Sequence, residues 1–292
     1  WKECLDIGGA GRSEIDGENQ WLPDDRLPGF RATVEEYFSA CADLSLRLVS
    51  KAGEGLGLPP RSLDPFFEDH TSFIRLNRYP PCPNPAPADW TEGEPDTERD
   101  GYLCINKHTD AGALTVLRVH TDEPASLQVL KDDRWHRVPQ VEGGLVINVG
   151  DMMQVWSNDV YRAPVHRVLA DPSQGRTSAP FFLNPCYDAK ISPQTFCPPT
   201  SSSSRVTADP TSGHPDKGLE ASPAGFSTET QTEKQKTDSS SASEGLRSPT
   251  SSVASKPLYR PFSWGEFRRR RFEGDFADLG KEVQISDWKI AA

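Results

Sequence analysis

The sequence predicts a mainly β protein, an all-β sandwich or jelly roll with flanking helices. Eight short runs of β-type residues fall between Ser72 and Leu183. Each run is bounded by Gly, Pro, Asn or Asp, as expected where turns separate strands. No helical pattern lies between most of them, so the strands must pack chiefly on one another.

Taken in order, residues 1–32 are rich in Gly, Asp and Pro and read as irregular. Thr33 and Glu36 have the spacing of a capping box, which starts a helix. Val34, Tyr37, Phe38, Cys41, Leu44 and Leu48 follow at steps of three and four and give that helix one apolar face. Gly53, Gly55 and Gly57 end it. Residues 1–71 are thus an irregular and helical N-terminal part. The chain opens at Trp1 without Met, so this part is expected to be truncated upstream. The β runs are Ser72–Tyr79, Leu114–Val119, Ser126–Leu130, Trp135–Val138, Leu145–Val149, Met152–Trp156, Val165–Leu169 and Ser178–Leu183. They define a core at 72–198. Residues 199–256 are dominated by Ser, Thr, Pro, Lys, Glu and Gly. So few apolar residues cannot offset the entropy of ordering, and the segment is expected to be a disordered insert. Ser263 and Glu266 form a second capping box, and Trp264, Phe267 and Phe272 can dock the helix that it starts. Residues 257–292 are therefore expected to be a C-terminal helix and tail packed on the core.

The composition narrows the function classes. With 292 residues there is ample chain for one sizeable core, and the low hydrophobic fraction of 35% reflects the insert. A net charge of −11 argues against general nucleic-acid binding. The run Arg268–Arg271 does not reverse that expectation. A helix spreads four consecutive residues around its circumference, and Glu266 and Glu273 are spaced to pair with some of them. Six scattered cysteines without a CxxC pair read as reduced thiols of an intracellular protein, with Cys104 in the core. No apolar run approaches the roughly 20 residues that cross a bilayer. A cytoplasmic monomer acting on a small-molecule substrate, with no nucleic-acid or membrane partner, is the expectation.

The densest chemical signal is His108-Thr109-Asp110. On a strand, residues two apart share a face, so an imidazole and a carboxylate would converge on one point. His166 is the best third ligand. His70, His120, His136 and His214 precede a strand, flank turns or fall in the insert. Two histidines and one carboxylate with open positions suit non-haem Fe(II). Ten residues after His166 comes Arg176-Thr177-Ser178, beyond a turn at Asp171–Gly175. The spacing predicts His166 and Arg176 on adjacent antiparallel strands. Arg176 and Ser178 would share a face and grip one carboxylate, the guanidinium through a charge-assisted fork.

The order His108-x-Asp110, His166, Arg176-x-Ser178 resembles the isopenicillin N synthase-like branch of the 2-oxoglutarate/Fe(II)-dependent dioxygenase superfamily. Arg75–Pro83 resembles its tyrosine-proline-proline strand, and Thr109–Thr115 the stretch after its first ligand. Asn148–Asp151 and Trp156–Asp159 resemble its middle strands. The similarity spans roughly residues 20–190 and then the C-terminal helix. It implies a distorted double-stranded β-helix. It also implies Fe(II) on His108, Asp110 and His166, with O2 as oxidant and 2-oxoglutarate as co-substrate on Arg176 and Ser178. By the same resemblance Tyr79 and Asn77 would touch 2-oxoglutarate. The reaction implied is hydroxylation of a small organic metabolite, with desaturation or cyclisation as variants, releasing succinate and CO2. Two departures are the missing upstream region and the insert at 199–256. Two alternatives stay open. One is an oxidase of this fold that does not use 2-oxoglutarate. The other is a non-enzymatic scaffold, against which an intact ligand set and an intact Arg-x-Ser both argue.

Overall fold

The computed structural model describes residues 1–9, 16–86, 94–95, 100–119, 125–194, 256–277 and 283–291. The chain begins with β1 (Glu3–Gly8), α1 (Phe30–Gly55) and β2 (Phe73–Tyr79). Next come β3 (Glu94–Pro95), β4 (Ile105–His108), β5 (Leu114–Val119), β6 (Leu127–Lys131), β7 (Arg134–Arg137) and β8 (Val146–Val149). A short α2 (Asp151–Trp156) leads to β9 (His166–Val168), β10 (Arg176–Leu183) and β11 (Lys190–Ile191). After residue 255 the chain forms β12 (Phe262–Ser263), α3 (Trp264–Ala277) and a 3₁₀ turn at Ile285–Trp288.

Two five-stranded sheets face each other, in the orders β1-β2-β10-β5-β8 and β3-β7-β6-β9-β4. All their pairings are antiparallel. This is the distorted double-stranded β-helix, a mainly β fold with flanking helices. Alternation along each strand sorts its side chains. Ile74, Val116, Phe181 and Leu183 point outward into the apolar core that includes α1. Phe38 of α1 meets Phe181 edge-on at 5.2 Å, and the Tyr37 hydroxyl donates to Ala179 O at 3.0 Å. The alternate residues Phe73, Asn77, Tyr79, Thr115, Arg176 and Ser178 face a cavity of about 600 Å³ between the sheets.

Four details differ from the sequence reading. Residues 1–32 are not wholly irregular, because Glu3–Gly8 pairs with β2 as an edge strand. Helix α1 starts at Phe30, three residues before Thr33, behind a left-handed Gly29 (φ 74°) with no side-chain cap. Phe30 meets Trp21 edge-on at 6.1 Å, and the Thr33–Glu36 box lies within the first turns of the helix. Its end is as expected. Gly57 at φ 79° closes a Schellman motif, with its N–H on Glu54 O and that of Leu58 on Gly53 O. Met152–Trp156 is helical rather than a strand. All its residues but Gln154 are buried, so no alternation distinguishes the two states. His166 and Arg176 are not on paired strands, for β9 and β10 belong to opposite sheets. The Asp171–Gly175 turn is nonetheless formed. Asp171 Oδ1 accepts from the N–H groups of Ser173 and Gln174 at 2.8 Å, and the turn carries the chain from one sheet to the other.

The C-terminal segment packs through Trp264 and Phe267, joined by Phe262 and Trp288. The Phe272 side chain lies outside the described residues, as does the insert expected at 199–256 except for Lys256. Each arginine of the 268–271 run has a carboxylate partner: Asp16, Glu273, Glu266 and Asp151 in turn. Among the described residues, five cysteines are free thiols. No described helix is long and apolar enough to cross a membrane.

Candidate metal centre

His108 ends β4 and lies opposite His166 in the β4–β9 register. Asp110 lies past the end of β4, so strand alternation does not place it. The turn that carries it is held by backbone bonds instead. The Asp151 N–H, in the first turn of α2, donates to Asp110 O at 2.8 Å, and the Met152 N–H donates to Gly112 O at 3.0 Å. Ligand-type atoms of His108, Asp110 and His166 come within 4.8 Å of one another. Asp110 Oδ1 is 3.6 Å from His108 Nε2 and 3.5 Å from His166 Nε2.

The remaining atoms of these side chains are already engaged. His108 Nδ1 donates to Asn106 O at 2.8 Å, and His166 Nδ1 donates to Pro164 O at 3.0 Å. A carbonyl only accepts, so these bonds require the proton on Nδ1 and leave both Nε2 lone pairs for a ligand. Asp110 Oδ2 accepts from the Thr115 hydroxyl at 2.6 Å and from Asn148 Nδ2 at 2.9 Å, which aims Oδ1 at the histidines. Burial alone pushes the Asp110 carboxyl up, but the two imidazoles and Asn148 outweigh it and hold it well below the ordinary range. Burial also pushes both imidazoles down. At His108 the contact with Asp110 reverses this and the net shift is upward, while at His166 burial and the neighbouring His108 keep it downward. The donor set is two imidazole nitrogens and one carboxylate oxygen, the kind that suits non-haem iron.

A second site faces the same cavity. The register of β2 and β10 sets Arg176 opposite Tyr79 and Ser178 opposite Asn77. All four are buried, with Arg176 only 6% exposed. The Arg176 guanidinium lies 5.2 Å from the centre of the Tyr79 ring, and Asn77 Nδ2 donates to Ser178 Oγ at 3.3 Å. Burial raises the Tyr79 hydroxyl pKa, opposed by its hydrogen bond with Ser178 and by the charge of Arg176. Arg176 Nε and Nη1 and Asn77 Oδ1 are buried with no hydrogen-bond partner. Unsatisfied guanidinium donors in a buried site are costly unless an anion completes them. The cluster could hold one carboxylate.

The sequence reading named seven candidates, His108, Asp110, His166, Arg176, Ser178, Asn77 and Tyr79, and all line this cavity. It missed the supports, Thr115, Asn148, Asp151 and Arg271. The first three lie in stretches noted for their family likeness, but nothing in the sequence linked Arg271 to a loop 162 positions away.

Residues 70–185 match the family model of the 2OG-Fe(II) oxygenase superfamily. The chain is 36% identical over 166 residues to gibberellin 2-beta-dioxygenase 5 of Oryza sativa subsp. japonica, covering 56% of this chain and 45% of the relative. It is 35% identical over 197 residues to feruloyl CoA ortho-hydroxylase 2 of Arabidopsis thaliana, covering 66% and 48%. A full-length protein of Neurospora crassa, solved in complex with alpha-KG, matches at 27% identity with a TM-score of 0.53, over 65% of this chain and 57% of that one. The chain thus spans about half the length of the curated relatives it matches.

Proposed function

We propose that this chain, whose residues 70–185 match the family model of the 2OG-Fe(II) oxygenase superfamily, is a dioxygenase using Fe(II), O2 and 2-oxoglutarate. Its substrate is a small organic metabolite, oxidised by hydroxylation, desaturation or ring closure. One observation carries the proposal: the His108–Asp110–His166 cluster and the buried, unpartnered donors of Arg176 line the same cavity.

In this reading His108 Nε2, Asp110 Oδ1 and His166 Nε2 hold the metal. Arg176, Ser178, Asn77 and Tyr79 hold the distal carboxylate of 2-oxoglutarate. When bound, the metal supplies the activation of O2, coupled to decarboxylation of 2-oxoglutarate to succinate and CO2. The protein's own contribution is orientation. Thr115 and Asn148 keep the Asp110 carboxylate from rotating, and the Asn106 and Pro164 carbonyls fix both imidazole tautomers.

The test is succinate release by the Fe(II) protein across a metabolite library, read against 2-oxoglutarate concentration. Arg176→Ala leaves a buried carboxylate without its cation, a loss of about 3–5 kcal/mol, so the 2-oxoglutarate requirement should rise roughly hundred- to thousand-fold. Arg176→Lys keeps the charge without the fork and should fall between. Oxidation of substrate without 2-oxoglutarate would assign Arg176 and Ser178 to the substrate's own carboxylate. Unchanged 2-oxoglutarate dependence in Arg176→Ala would remove Arg176 from the site.

A further inference from the structure

Arg271 stands on α3, beyond the residues matched to the superfamily. It is 8% exposed. Nη2 donates to the Thr109 carbonyl at 3.0 Å, and Thr109 separates His108 from Asp110. Nη1 is 3.2 Å from Oδ2 of Asp151, which is wholly buried. The backbone N–H of Asp151 in turn holds the Asp110 carbonyl at 2.8 Å. One guanidinium thereby grips the ligand-bearing turn twice, directly at Thr109 and through Asp151 at Asp110. Nη1 also lies 3.5 Å from Val283 O, so the same group ties in the C-terminal tail.

We propose that Arg271 is a positioning residue of the metal centre. It sets the spacing of His108 and Asp110, so metal affinity depends on docking of the segment that follows residue 256. The inference rests on the metal assignment above. Electrostatics alone point the other way, since a cation near a metal site repels a metal cation. Here Asp151 pairs with that charge, and the turn receives chiefly the geometry. The planar fork aims two donors in fixed directions, one at the Thr109 carbonyl and one at the Asp151 carboxylate, a geometry that the single nitrogen of a lysine does not match.

The experiment measures Mn(II) affinity by calorimetric titration, the visible spectrum of the Co(II)-saturated protein, and the thermal midpoint of the metal-free chain. Wild type and His108→Ala test the metal assignment itself. Arg271→Lys keeps the charge beside Asp151. The neutral pair Asp151→Asn with Arg271→Gln serves if the lysine variant does not fold. Arg269→Ala, exposed on the same helix, is the control. Loss of a group that orients metal ligands typically weakens binding roughly 10- to 100-fold. The expected result is a fall of at least about tenfold in Arg271→Lys, with an altered Co(II) spectrum at saturation and a metal-free midpoint near wild type. Arg269→Ala should match wild type in all three readouts. Wild-type affinity and spectrum in Arg271→Lys overturn the inference while leaving the metal site intact. So does a loss of affinity that only accompanies a loss of metal-free stability in both variants. Equal Mn(II) binding by wild type and His108→Ala sinks the metal assignment, and the role of Arg271 with it.

Discussion

At Gly150 a side chain has no room. A Cβ built there would collide with the Gly112 carbonyl oxygen and lie 2.8 Å from that of Asp110. Both carbonyls accept N–H groups of α2, so the clash would push α2 away from the turn that carries Asp110. Gly150→Ala should destabilise the fold by about 1–3 kcal/mol, as overpacking does, and weaken metal binding as well. Unfolding in urea and Mn(II) titration check the two effects, and an unchanged Mn(II) affinity would uncouple α2 from the site. Thr115→Val is a narrower test. It keeps the shape of the side chain and removes the 2.6 Å bond to Asp110 Oδ2. The carboxylate is then free to rotate, and metal affinity should drop roughly 10- to 100-fold. Wild-type affinity in Thr115→Val would mean that Asn148 alone orients Asp110.

Elements carry the next level of control. Asn158 and Asp159, just after α2, both have positive φ (51° and 70°). They anchor the C-terminal segment. Asn158 bonds Lys256 O and the Leu258 N–H. The Asp159 carboxylate accepts from Tyr259, from Gln154 at 3.0 Å and from Lys289 at 2.8 Å. Partial burial raises the Asp159 pKa, but these three donors outweigh it and bring it below its ordinary 3.8. A depressed folded pKa means stability that is present above pH 3.8 and lost as pH falls through the lower folded value. Because Lys289 is 44% exposed, solvent screens that pair and the total is modest, about 1–2 kcal/mol. Wild type should therefore exceed Asp159→Asn in urea stability at pH 5, and the gap should close below pH 3.8. A gap independent of pH would show that Asp159 acts by packing rather than by charge.

Across the whole molecule, the proposed ligands join the two sheets. His108 and His166 sit on the β3-β7-β6-β9-β4 sheet, and Asn77, Tyr79, Arg176 and Ser178 on the β1-β2-β10-β5-β8 sheet. A metal and 2-oxoglutarate bound together would link them across the cavity. Any ligand specific for the folded state stabilises it, by about 2.7 kcal/mol at a hundred times its dissociation constant. In a domain of this size that is roughly 5–10 °C in thermal midpoint. Mn(II) with 2-oxoglutarate should raise the midpoint more than Mn(II) alone. Arg176→Ala should keep the Mn(II) increment and lose the 2-oxoglutarate increment. Identical midpoints for the wild type with and without both ligands would contradict the site.

The candidate residues and most of the strand content were legible in the sequence because both are local. His108-x-Asp110, His166 and Arg176-x-Ser178 are patterns of residue type and spacing, and most β runs matched strands because alternation and turn residues act over a few positions. What the tertiary structure decided was non-local. The sequence placed His166 and Arg176 side by side, while the fold puts them on opposing sheets, since a turn between strands does not specify which sheet the second one joins. Met152–Trp156 is buried at four of five positions, so it carried no periodicity, and its helical state comes from amides that satisfy the Asp110 and Gly112 carbonyls. The N-terminal Glu3–Gly8 became a strand because β2 offered an unpaired edge. Arg271 read as one charge in a surface run. Only packing of α3 against the Thr109 turn buried it beside His108 and Asp110, because a contact 162 positions away in the chain leaves no trace in local pattern.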